Sequence, residues 1–424
     1  MKFVFLTPGT GDWHCGACMR DNALAKSLLA AGHGVSLLPM YLPLYLDEPA
    51  CGGEDAAPVF FGGVTVYLRQ RFGWFRHAPA WLTRWLDRPD LLRRVAKRAA
   101  MTAPSSHGEM TVAMLRMEHA RLDREMDQLV AWLKSDPPDV LCLSTVLQAG
   151  MIRMLKQRLP GVKILASFQG EDSFLDGLPE PFCGEAWSEL AVRAREADAL
   201  VAPSAFYAGL MEDRLGLPRE TVRVLPNGID LAGYRDHAPQ SPPVIGYLAR
   251  MCREKGLEPM VDAFIHLRRE LGHPDARLHI AGAATAADQP LIGKMRERLA
   301  AAGLLENTRW QPNLSRDEKT AMLAGLSLFS VPAVYPEAFG LYVAEALAAG
   351  VPVVQPAASS FPEMLDGIGR LVPPGDSSAL AGAWHSLLRQ PDELRAMAVR
   401  SRRAAESRFS VEVMRERFLQ CCRF

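Results

Sequence analysis

Two glutamates, Glu337 and Glu345, bracket Phe339, Gly340 and Tyr342 in the stretch PEAFGLYVAEALAAG, directly after the apolar run LSLFSVPAV. On one continuous helix a spacing of eight residues would set the two carboxylates roughly 80° apart around the axis. A single helix face is therefore a poor account of the pair. The turn residues suggest another: a buried strand over LFSVPAV, a loop YPEAF at its carboxyl end, a helix from near Gly340 to Gly350, and a second strand in VPVV. That is a βαβ unit. Ligands of such units sit outside the carboxyl ends of the strands, where the first-turn amides of the helix point at an anion. Here those amides belong to Gly340, Leu341 and Tyr342. Carboxylates repel phosphate, so Glu337 and Glu345 are expected to accept hydrogen bonds from hydroxyl groups on either side of it. A nucleotide-sugar has that chemistry.

A second stretch, GYLARMCREKGLEPMVDAF, places Arg250 and Lys255 between a strand and a helical pattern. Two cations in a loop at a strand's carboxyl end suit a diphosphate, whose oxygens gain charge as a glycosyl bond breaks. By themselves the letters favour an ordinary solvated turn. The PEAFG loop, at the equivalent edge in the same half of the chain, decides for the diphosphate. In the first half, GTGDWHCGACMRDNAL offers Gly16 for close approach of backbone to an anion, and Arg20, Asp21 and Asn22 at an expected helix start as groups that could reach an acceptor. The G-x-G at Gly9 and Gly11 is too weak to read as a dinucleotide fingerprint. Cys15 and Cys18 form a C-x-x-C at a helix N-terminus, which lowers thiol pKa, and with His14 could begin a zinc site, though no second cluster offers a fourth ligand. Structural or acceptor-loop use is the preferred reading.

Positioning these loops requires a large parallel framework. At 424 residues the chain exceeds the size at which one core keeps growing. KFVFLTP, VSLLPMY, VTVYL, DVLCLS, KILASF and ALVAPS read as strands with helical patterns between several of them, and after the polar stretch DHAPQSPP the alternation restarts with VIGYLA, RLHIAG, LFSVPAV, VPVVQP and GRLVPP. Such alternation means α/β architecture: two Rossmann-like parallel-sheet domains, 1–235 and 244–407, joined by a linker at 236–243, with a helix at 408–424 that could cross back onto the first. The net charge of zero argues against a nucleic-acid partner. Eight scattered cysteines fit reduced thiols, and MKFVFLTPG is too short for a signal h-region, so a cytoplasmic protein is expected. Arginines interleaved with Trp74, Trp81 and Trp85 within 71–100 allow a peripheral contact with the inner membrane face, a lid, or plain packing.

The set GYLARMCREKG, LHIAG, PEAFGLYVAEALAAGVPVV and FPEMLDGIGRLVPPGD, with RVLPNGID upstream, resembles the retaining glycosyltransferases of family 4, which share the GT-B fold. The resemblance implies two domains facing across a cleft, with a nucleoside-diphosphate sugar, a UDP-sugar foremost, on the second. It implies Arg250 and Lys255 on the diphosphate, Glu337 on the sugar, Glu345 on the ribose, and the loop Ala338, Phe339, Gly340, Leu341 and Tyr342 around the donor, with Gly16 approaching it from the first domain. It also implies no metal or other cofactor and an acceptor that is a small molecule, a glycan or a lipid-linked sugar. The resemblance puts an acceptor-side histidine where this chain has Ser144, and another where it has Gln169 beside Glu171 and Asp172. Asp172 is expected either to orient the acceptor or to cap the next helix. Rival readings are an epimerase or phosphorylase on the same fold, and a thiol redox or metal-binding protein using His14, Cys15 and Cys18.

Overall fold

The computed structural model describes residues 1–9, 16–44, 46, 50–51, 107–117, 123–235 and 237–424. The expected strand VTVYL, the tryptophan and arginine segment, Gly11, His14 and Cys15 lie outside them. The chain divides into two compact units, Met1–Leu225 with Met414–Phe424, and Pro226–Val413. The stretch expected as a linker thus lies inside the second unit, as do residues 226–235, and the terminal segment rejoins the first unit at Met414 rather than at 408. The physical reason is backbone pairing: Ala238 N and Gln240 N donate to Ala324 O and Gly325 O at 2.8 and 3.1 Å, so this polar stretch is tied down.

The first unit is built on six parallel strands, β1 (Lys2–Thr7), β2 (Gly34–Pro39), β3 (Val140–Leu143), β4 (Lys163–Ser167), β5 (Ala199–Ala202) and β6 (Val222–Val224), in the order β2-β1-β3-β4-β5-β6. β1 pairs on both sides, with Phe5 opposite Leu37 and Cys142. Its near-continuous apolar run is what a parallel strand covered on both faces needs. Phe418, on the helix Val411–Cys421, meets Phe3 and Phe5 at centroid distances of 5.3 and 5.8 Å.

The second unit holds β7 (Val244–Leu248), β8 (Arg277–Gly282), β9 (Thr308–Pro312) and β10 (Leu328–Phe329) in the parallel order β10-β7-β8-β9, and a parallel pair β11 (Val354–Pro356) and β12 (Arg370–Val372). A bridge between Phe329 and Val353 joins the two sheets. β10 is shorter than the LFSVPAV run: past Phe329 the chain leaves the ladder, and Val331 N is taken by a side chain instead of a strand. The chain beyond it is held individually: Ser330 N donates to Gly246 O at 3.0 Å and Val331 N to the buried Gln355 Oε1 at 2.9 Å. Trp384, fully buried, donates from Nε1 to Ser330 Oγ at 3.0 Å. The loop leaving β10 is therefore fixed without being strand.

Candidate active site

The loop after β7 carries both cations. Tyr247 Oη donates to Arg250 O at 2.8 Å and Met251 N donates to Ala283 O at 2.9 Å, which sets the path of the backbone. Arg250 donates from Nε and Nη2 to Asp288 Oδ2 and Oδ1 at 3.2 and 3.0 Å, a bidentate pair. Asp288 is 6% exposed and is itself held by Thr285, whose N and Oγ1 donate to Oδ2 at 2.8 and 2.7 Å. Burial works to raise the Asp288 pKa, but the hydrogen bonds from Thr285 and Arg250 outweigh it and hold the carboxyl below the usual range. Asp288 was missed in the sequence; its one local signal is the capping box it forms with Thr285. The remaining guanidinium nitrogen, Nη1, has no hydrogen-bond partner among the described residues.

Lys255 precedes Gly256, which caps the helix Leu257–Arg269 in the left-handed region at φ 72°. This loop is latched to the one leaving β10: Val334 N and Tyr335 N both donate to Glu254 O, at 3.0 and 3.4 Å. Across that latch Lys255 Nζ donates to Glu337 Oε2, and Tyr342 Oη donates to the same oxygen at 2.8 Å. Burial and the Glu337 carboxylate push the Tyr342 phenol up, so it stays a protonated donor. Both donors act on Oε2, and Oε1 has no hydrogen-bond partner among the described residues. Gly340, at φ 85°, opens the helix Leu341–Ala348; a Cβ there would meet Phe361 at 3.2 Å and Tyr342 at 3.4 Å. Ala338 and Phe339 are buried, and Ser360 Oγ donates to Phe339 O at 2.9 Å. The amides of Leu341 and Tyr342 are the first of this helix and have no intrahelical acceptor by construction.

Glu345 lies on the same helix, and Lys319 Nζ donates to its Oε1 at 2.6 Å. The side chains are 11% and 12% exposed. Lys319 sits on the helix Arg316–Ala324, whose start is fixed by a capping box between Ser315 and Glu318. The structure thus brings Lys255, Glu337, Gly340 and Tyr342 together, and gives Arg250 and Glu345 the partners Asp288 and Lys319, neither of which was expected.

In the first unit the helix expected to begin at Arg20 begins at Gly16, a full turn earlier. That corrects the reading of Arg20, Asp21 and Asn22 as residues of a helix start. All three are buried. Arg20 Nε donates to Asp21 Oδ1 at 2.9 Å, Thr7 Oγ1 donates to Asp21 Oδ2 at 3.2 Å, and Asn22 Oδ1 accepts from Cys51 N at 2.7 Å. Ser144 follows β3, is 1% exposed, and lies 3.2 Å from Thr7 Oγ1. Cys18, on the same helix, is fully buried. These groups pack helix against sheet.

Asp172 is buried and accepts from Tyr207 Oη at 2.7 Å, and it opens the helix Asp172–Asp176 without capping it. Its neighbour Glu171 clamps the ends of β3 and β4. One oxygen accepts from Thr145 Oγ1 and Val146 N at 2.7 and 3.3 Å, the other from Gln169 N and Gly170 N at 2.7 and 3.1 Å. Burial raises the Glu171 pKa against these hydrogen bonds. Gln169 itself is half-buried, with its backbone in this clamp.

Two parallel sheets in two units, with charged loops at the carboxyl ends of β7 and β10, define the GT-B fold. Sucrose-phosphate synthase from Thermosynechococcus elongatus superposes with a TM-score of 0.73 at 17% identity, covering 99% of this chain and 98% of that one. Anabaena HepE in complex with UDP-glucose superposes with a TM-score of 0.66 at 18% identity, over 99% and 98% of the two chains. By sequence, residues 235–404 match the family "Glycosyl transferases group 1" and residues 20–228 match "Glycosyl transferase 4-like domain". The two halves are thereby glycosyltransferase domains. Among relatives, glycogen synthase of Mycobacterium tuberculosis H37Rv is 34% identical over 221 residues, 51% of this chain and 50% of that protein. Phosphatidyl-myo-inositol mannosyltransferase of Mycobacterium leprae is 36% identical over 125 residues, 29% and 33% of the two. The aligned stretch thus spans half or less of either relative's length. Among the described residues no helix is long and apolar enough to cross a membrane.

Proposed function

We propose that the protein is a glycosyltransferase that moves a sugar from a nucleoside-diphosphate sugar to an acceptor hydroxyl with retention of configuration and without a metal. One observation carries this reading. Arg250 on the loop after β7, Glu337 on the loop after β10 and Glu345 on the helix Leu341–Ala348 are each held through some of their polar atoms, and each keeps another with no hydrogen-bond partner among the described residues. The UDP-glucose held by the Anabaena neighbour supports a UDP-sugar as the first donor to test. In this reading Arg250 and Lys255 offset charge on the departing diphosphate, while the helix amides at Leu341 and Tyr342 take a phosphate oxygen. Glu337 Oε1 accepts from a sugar hydroxyl and Glu345 from the ribose. No protein nucleophile is needed: the acceptor attacks the face the diphosphate leaves, and a phosphate oxygen takes the acceptor's proton.

The test is calorimetric titration with UDP, ADP, GDP and CDP, followed by proton NMR of the sugar product formed from the matching donor, with and without EDTA. Binding of a nucleoside diphosphate, an anomeric configuration equal to the donor's and a rate indifferent to EDTA are expected. No binding of any nucleoside diphosphate would defeat the proposal; inversion would defeat its stereochemical part.

A further inference from the structure

Lys319 and Glu345 come from different helices, 26 residues apart in sequence, and meet at 2.6 Å with little of either side chain exposed. Ordering a lysine and removing both charges from water is costly, and a pair of this kind is weak evidence for stability as such. The pairing has a definite geometry instead. The ammonium reaches Glu345 at Oε1, and among the described residues Glu345 Oε2 has no hydrogen-bond partner. Lys319 lies one position past the capping box of its helix, near the end where the helix dipole disfavours a cation. Nothing in the helix itself calls for a lysine there.

We infer that Lys319 is a positioning residue for nucleotide recognition: it fixes the Glu345 carboxylate so that Oε2 meets a hydroxyl of the ribose. The inference rests on the donor reading given above. A carboxylate oxygen accepts from a sugar hydroxyl only when it is held at hydrogen-bond distance and direction. With Lys319 gone, Glu345 would swing toward solvent or toward another donor, and ribose hydroxyls would lose their acceptor while the phosphate contacts at Arg250 and Lys255 stay in place. A plain tether between two helices, by contrast, would affect every ligand of the unit alike.

The experiment compares the best-bound of UDP, ADP and GDP with its 2′,3′-dideoxy counterpart, by calorimetry on the whole chain. Wild type is expected to favour the ribose form by about 10- to 100-fold, the range for hydrogen bonds to a charged group. In Lys319→Met the preference should fall below about threefold with dideoxy affinity unchanged, and Lys319→Arg should restore most of it. Should Lys319→Met not fold, Lys319→Gln carries the same comparison. A wild-type preference kept in Lys319→Met overturns the inference, and so does an equal loss of affinity for both nucleotides. Wild type that binds no nucleoside diphosphate overturns instead the donor reading on which it rests.

Discussion

The latch between the two charged loops can be broken at one glycine. A Cβ on Gly256 would lie 1.8 Å from Pro332 O and 2.4 Å from Pro332 C, both backbone atoms. Ordinary contact is roughly 3.5 Å, so the loops must part by well over an ångström. The left-handed backbone at φ 72° adds about 1–2 kcal/mol for any L side chain, and overpacking of this kind costs about 1–3 kcal/mol. Gly256→Ala should therefore lose roughly 2–5 kcal/mol by the sum of those two terms. The functional cost is separate. Lys255 is the preceding residue, and its partner Glu337 is on the loop that must retreat. On the donor reading, a displacement near 1 Å of a group acting at the reacting atoms is worth about 100-fold in rate. The control is Gly303→Ala, where φ is 67° but nothing lies within 4 Å of the new Cβ, so only the backbone term applies. Guanidinium denaturation and donor turnover of the two variants, side by side, make the assay. Equal stability losses and unchanged turnover in Gly256→Ala would refute the claim that this glycine lets the two charged loops meet.

Arg250→Ala should lower turnover by about 100- to 1000-fold, as for one preorganised electrostatic donor, and should also cost stability, about 1–3 kcal/mol, because the buried Asp288 loses its bidentate partner; an unchanged rate removes Arg250 from the reaction. Glu345→Ala should weaken binding of the free nucleoside diphosphate, whereas Glu337→Ala should weaken only the intact sugar donor, and calorimetry showing equal effects on the free nucleotide would contradict that division. Ser144→Ala should keep turnover within about tenfold, because its hydroxyl faces Thr7 inside the core and one hydrogen bond is worth about 0.5–1.5 kcal/mol; a thousandfold loss with intact donor binding would place it in the chemistry. Burial lowers the His279 pKa against the hydrogen bond to Gln311, so the unfolded chain takes up the proton first and stability falls as pH drops below about 6.5. His279→Gln should flatten that fall by at most about 1.4 kcal/mol per pH unit, and denaturation at pH 7 and pH 5 measures it.

The parts of this site that could be read in the sequence are those whose logic is local. Glu337, Gly340 and Glu345 announce a strand, a turn and a helix within fifteen residues, and Arg250 and Lys255 share one loop. Asp288 and Lys319 could not be read that way, because each acts on a residue 38 or 26 positions away and only the sheet order brings them together. Helix starts misled for a different reason. Asp21 and Asn22 carry the polar signature of an N-terminal turn, yet the helix begins at Gly16 and turns that pair inward to hold Thr7 and Cys51. The strand read into LFSVPAV ended early because Val331 N is taken by the buried Gln355 side chain, a partner 24 residues away that local letters do not show.

How a buried or half-buried charge is satisfied separates the structural groups of this molecule from those assigned to the proposed donor. Glu171 accepts four hydrogen bonds, two on each oxygen, and Asp21 has Arg20 on one oxygen and Thr7 on the other. Neither carboxylate has an oxygen without a protein donor, which is the arrangement that a buried anion needs when it serves the fold alone. Glu337 and Glu345 differ. Each is held at one oxygen, by Lys255 with Tyr342 and by Lys319 respectively. Arg250 follows the same rule with opposite charge, Nε and Nη2 being fixed by Asp288. Half-satisfied charges fixed in direction cost the folded chain stability, and a polar ligand that supplies the missing partners recovers it on binding. On the donor reading proposed above, groups half-satisfied in this way suit a ligand with hydroxyls at both ends and negative charge between them.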